Sequence, residues 1–63
     1  MSEPIPAIQS AYINLGEAQK WVQYAREDYE ENVLTECLKH IEWSIDALTS
    51  AKAKIEQYRS KSQ

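Results

Sequence analysis

A chain of 63 residues with a single cysteine, Cys37, allows one small domain and excludes an internal disulfide framework. Its composition is 43% hydrophobic and 27% charged, with one Gly and two Pro, which reads as globular and argues against a loop-rich or all-β fold. The net charge of −3 is uneven: residues 1–32 carry six acids and two bases, and residues 33–63 carry four acids and five bases, so neither half has the balance of a nucleic-acid binder.

A domain this short hides only about 60% of its unfolded surface when it folds alone. Disulfides, a structural metal, very regular packing or self-association usually make up the deficit. One cysteine and one histidine do not furnish a metal site within the chain, which leaves packing and self-association. No apolar run approaches the roughly 18 residues of a membrane span. Met1-Ser2-Glu3-Pro4 lacks the basic and apolar regions of a signal peptide, and a lone thiol suits a reducing compartment, so the sequence predicts a cytoplasmic protein without a membrane partner.

Residues 1–5 read as an extended lead-in, because Pro4 and Pro6 are tolerated only at or before a helix's first turn. From there a seven-residue repeat of apolar positions begins: Ile8, Ala11, Leu15, Ala18, Val22, Ala25 and Tyr29. Every expected position is filled, which predicts one amphipathic helix over about 6–31. Gly16 lies off this stripe, and Asn14 with Glu17 forms a candidate capping box. The unbroken stripe favours a helix that continues through both.

Continued in the same phase, the stripe would require Asn32, Glu36, Lys39 and Trp43, of which three are polar or charged. It resumes instead as Leu34, Cys37, Ile41, Ser44, Leu48, Ala51, Ile55 and Tyr58. A phase slip near Glu31-Asn32 is the mark of a tight turn at about 31–33, with Asn32 suited to the left-handed conformation that ends helices. A second helix over about 33–60 follows, and a tail over 61–63 is expected to fray. Short connections place helices antiparallel. The expected fold is therefore all-α, an antiparallel two-helix hairpin.

The first seam position of each heptad is large: Ile8, Leu15, Val22 and Tyr29, then Leu34, Ile41, Leu48 and Ile55. The second is small, with Ala11, Ala18, Ala25, Cys37, Ser44 and Ala51, and Tyr58 as the exception. These seam residues, apart from Ser44 and Tyr58, form the expected core. The alternation resembles the layer packing of Rop-type hairpins, which dimerise into antiparallel four-helix bundles. The resemblance lies in length, topology and seam pattern, and it brings no functional residues with it. It implies a homodimer built as a four-helix bundle.

Tyr12, Trp21, Leu38 and Ile45 widen the stripes beyond what one partner helix covers, and Trp43 and Tyr24 lie further round. These six residues are the candidate interface, since Trp and Tyr dominate interaction hot spots. The turn end is acidic (Glu27, Asp28, Glu30, Glu31, Glu36) and the free end basic (Lys52, Lys54, Arg59, Lys61), so hairpins packed antiparallel bring opposite charges together.

Candidate chemistry is sparse. Glu36, Cys37 and His40 share part of one helix face and are the only candidate metal ligands, although Cys37 at a small seam position behaves as a modest hydrophobe. No serine elbow, phosphate loop, zinc-protease motif or second histidine is present, and Glu36 or Glu42 beside His40 reads as a solvated charge cluster. The segment Ala11-Tyr12-Ile13-Asn14-Leu15-Gly16-Glu17-Ala18 resembles the first helix of a tetratricopeptide repeat over eight residues, without the glycine turn that repeat needs. The antiparallel helices are also similar to HEPN-type nucleases, but Thr35 stands where their Arg-x4-His motif requires arginine. The sequence thus predicts a non-enzymatic, cofactor-free interaction or regulatory module that self-associates and binds another macromolecule. The alternatives are a metal or small-ligand carrier built around Cys37 and His40, and a structural component of a larger assembly.

Overall fold

A computed structural model describes residues 5–62, and all of its regular structure is helical. A single 3-10 turn at Pro6–Ile8 leads into helix α1, Gln9–Glu30, and a three-residue connection leads to helix α2, Leu34–Ser62. The two helices pack against each other as an antiparallel hairpin. Ile5, held extended at φ −72° and ψ 121° by the proline that follows, precedes a turn whose first residue needs no N–H partner. The first four residues of the expected lead-in, and Gln63 of the expected tail, lie outside the described residues. Within the described residues α2 runs on through Ser62.

The turn is set by hydrogen bonds that satisfy the last carbonyls of α1. Val33 N–H donates to Asp28 O at 2.8 Å and Asn32 N–H donates to Tyr29 O at 3.0 Å. This is the paired pattern of a Schellman motif, and it requires a left-handed residue, which Asn32 supplies at φ 62°. The Val33 carbonyl then accepts from Cys37 N–H at 3.0 Å and starts α2. Asn32→Ala is expected to lower stability by about 1 kcal/mol, because a Cβ without a local hydrogen-bonding group is strained there. Asn32→Gly is expected to be tolerated. Urea unfolding of both variants at one fixed protein concentration checks the pair.

α1 runs through Gly16 without a break. Asn14 does not restart the helix. Its amide donates to Glu17 Oε1 at 3.1 Å, and its oxygen accepts from Ser50 Oγ at 3.1 Å and Lys54 Nζ at 2.7 Å across the hairpin.

The seam between the helices is lined by small side chains. Ala11, Ala18 and Ala25 from α1 meet Ser44, Ala47 and Ala51 from α2, all between 1% and 8% exposed. Ser44 Oγ donates to His40 O at 2.8 Å and Cys37 Sγ donates to Ala25 O at 3.3 Å, so neither polar group opens the seam. The large residues expected in the core are not inside this hairpin. Leu15, Val22, Tyr29, Leu34, Ile41 and Leu48 remain 42% to 71% exposed, while Ile8 and Ile55 are half-buried. The reason is geometric. The helices approach along their alanines, and at 100° per residue the large seam positions then point to one side of the contact line rather than across it.

The result is one layer of structure, with Cα extents of 46 × 23 × 12 Å. Its radius of gyration is 14.2 Å, against roughly 10.6 Å for a compact domain of this length. Stable domains pack two layers around a core. This chain supplies one.

Candidate functional site

The hairpin has two long sides, and they differ in chemistry. On α1, Val22 and Tyr29 lie to one side of the buried Ala18 and Ala25, whereas Trp21 and Asp28 lie to the other. On α2, Ile41, Ile45 and Leu48 fall on the first side, and His40 on the second.

The first side is open and apolar. One groove of about 610 Å³ is walled by Val22, Tyr29, Cys37, Ile41, Ile45 and Leu48, with Arg26 and Glu30 at its rim. A second, of about 730 Å³, continues it toward the free end past Tyr12, Leu15, Gly16 and Gln19. Val22, Arg26 and Leu48 belong to both, so the two form a single trough along the hairpin, with Leu48 near its middle. Of the six candidate interface residues, Tyr12 and Ile45 line this trough. Leu38 is exposed and lines neither groove.

The second side is closed by its own side chains. The His40 ring stacks on Trp21 with centroids 5.6 Å apart and an interplanar angle of 8°. Tyr24 and Trp43 meet that pair edge-on, at 5.6 Å and 5.3 Å from His40. His40 Nδ1 and Asp28 Oδ2 are 2.5 Å apart, which ties α2 to α1 beside the turn. Lys20 Nζ sits 4.4 Å from the Trp21 ring centroid on the outer face. Trp21, Tyr24 and Trp43 are thus gathered into one cluster, with Tyr24 and Trp43 still presenting part of their rings outward.

The seam reading passed over His40 as the centre of this cluster. A signal for it exists in the spacing. Asn14, Trp21 and Asp28 recur every seven residues on α1, as do His40, Ala47 and Lys54 on α2. Run antiparallel, the two series pair Asp28 with His40 and Asn14 with Lys54, as observed.

The three candidate metal ligands are not brought together. Glu36 engages Lys39 at 3.5 Å, Cys37 turns to the trough side, and His40 turns to the aromatic side. Among the described residues, no group of three or more His, Cys, Asp or Glu is arranged to hold a metal ion.

His40→Ala is expected to cost about 1–2 kcal/mol, since it removes the stacked ring and leaves Asp28 without its partner. Tryptophan emission should shift to longer wavelength as Trp21 is uncovered, while the molar mass in solution stays unchanged. Emission spectra and light scattering on the one variant test both halves of that expectation.

The chain matches no protein-family model, no curated protein and no solved structure. No helix among the described residues is long and apolar enough to cross a membrane.

Proposed function

We propose that the chain is a non-enzymatic, regulatory protein-interaction module that self-associates through its apolar trough into a four-helix bundle and binds a further macromolecule. The trough is the observation that carries this reading. It is a continuous groove on one side of a single-layer fold, walled by exposed apolar side chains such as Leu15, Val22, Ile41, Ile45 and Leu48, and exposed apolar surface gathered on one face marks interaction sites.

The surface area supports it quantitatively. A folded monomer of 7.3 kDa exposes roughly 4200 Å². This chain exposes 5189 Å². The surplus, about 1000 Å², is close to the ~800 Å² that each partner contributes to a standard interface. A second hairpin laid on the trough supplies the missing layer.

Once the trough is covered, the aromatic side remains outward. Tyr24 and Trp43, with Trp21 beneath them, are the proposed contacts for the further macromolecule, because rigid amphipathic rings anchor interfaces at low entropic cost. The lone thiol of Cys37 on the trough wall suits a reducing environment, and we place the protein in the cytoplasm.

Thermal unfolding across a range of protein concentrations tests the self-association. Assembly stabilises the folded chain by mass action, so the midpoint should rise by about 5 °C for each tenfold increase in concentration, given ~2.1 cal/mol/K of unfolding entropy per residue over two chains. A midpoint independent of concentration would contradict it.

A further inference from the structure

We infer that the second copy lies antiparallel on the trough, with α1 against α1 across a two-fold axis near Gln19 and Leu48, so that each acidic turn end meets the other's basic free end. This rests on the self-association proposed above and specifies its geometry.

Two hairpins placed face to face have two symmetric choices. A two-fold axis along the helices sets turn against turn and α1 against α2 of the partner. An axis across the helices sets turn against free end, α1 against α1 and α2 against α2. Apolar packing alone does not choose, because apolar side chains line both halves of the trough, Val22, Ile41, Ile45 and Leu48 toward the turn and Leu15, Val22 and Leu48 toward the free end. Charge does. Around the turn, Glu27, Asp28, Glu30, Glu31 and Glu36 outnumber Arg26 and Lys39, a net −3. At the free end, Lys52, Lys54, Arg59 and Lys61 outnumber Glu56, a net +3 among the described residues. Packed helices stand ~8–10 Å apart, about one screening length at physiological salt. The lengthwise axis therefore sets like charge on like at both ends, and the crosswise axis sets opposites.

The crosswise axis also gives the trough residues consistent mates. Tyr12, Gln19 and Arg26 recur every seven residues on the trough edge of α1, symmetric about Gln19, and all three line its free-end half. A two-fold there lays the Arg26 guanidinium of each copy over the exposed Tyr12 ring of the other, and sets Leu15 against Val22. On α2, Ile41 and Leu48 on the trough, and the half-buried Ile55, which lines neither groove, recur at the same interval, symmetric about Leu48. In the antiparallel register that pairs Asp28 with His40 and Asn14 with Lys54, Leu48 stands level with residue 20, so one axis serves both helices.

Single-cysteine cross-linking tests the inference. Cys37→Ser keeps a donor for the Ala25 carbonyl and removes the native thiol. In that background, Gln19→Cys places one thiol on the axis, where it meets only its own copy. Mild oxidation should then give near-complete disulfide dimer from Gln19→Cys and little from Glu30→Cys, a position at the turn. Raising the salt concentration should weaken the reduced assembly several-fold, because opposite charges are being screened. An assembly that is dimeric by mass, gives no disulfide dimer from Gln19→Cys and tightens with salt would overturn the antiparallel geometry while leaving self-association standing. Reduced protein that is monomeric by mass at every concentration would overturn both.

Discussion

Leu48→Glu is expected to convert the assembled protein to monomer, raising the dissociation constant by a hundredfold or more. Leu48 stands where the two grooves join, and in the single hairpin it is exposed. A carboxylate there stays in water when the chain is alone, and substitutions at such positions usually fall within about ±0.5 kcal/mol. Covered by a second copy, the same carboxylate loses its hydration in a groove walled by Val22, Ile41 and Ile45, a penalty of several kcal/mol. Each ~1.4 kcal/mol is tenfold in affinity. If the mutant keeps the native mass by light scattering at micromolar concentration, the trough is not the contact.

The second large effect is expected at the seam. Ala51→Leu should destabilise the hairpin by about 3 kcal/mol, at the upper end of what overpacking usually costs. Ala51 is 1% exposed and faces the alanines of α1. No larger side chain fills that seam, so the helices have to part to admit three extra carbons. Parting them strains the Asp28–His40 pair and pulls Lys54 from Asn14. The expected loss is a large share of the stability of a 63-residue chain, which by size is roughly 3–9 kcal/mol. Ala53→Leu, two residues along on the opposite, exposed face of α2, is the control and should change stability by less than about 0.5 kcal/mol. Equal effects from the two would show that the seam is looser than its burial indicates.

These two sites also show how far the sequence could be read. Two apolar stripes in different phase, separated by Asn32, are enough to infer two helices folded back on each other, because the period of burial is a direct consequence of 3.6 residues per turn. Which seam position faces the partner helix is another matter. A heptad pattern names two adjacent rows, large and small, and is silent on which row takes the closest approach. Here the alanines do, so the row with most of the apolar area is left on the surface. The candidate site was legible in part for the same reason. An excess of apolar residues such as Tyr12 and Ile45 beside the stripes pointed to a surface needing cover, but the continuous trough depends on where the close seam falls. His40 was read beside Cys37 because they are three apart. At 100° per residue that spacing leaves them 60° apart, enough for the seam to run between them and send one to each side.

If a second chain completes this hairpin's core, the molar mass in solution depends on protein concentration. Light scattering across a hundredfold dilution, with helix content followed on the same samples, should show a dimer at high concentration that loses helix as it dissociates. A monomer of 7.3 kDa that keeps its full helix content throughout would mean that the hairpin is complete without a second chain.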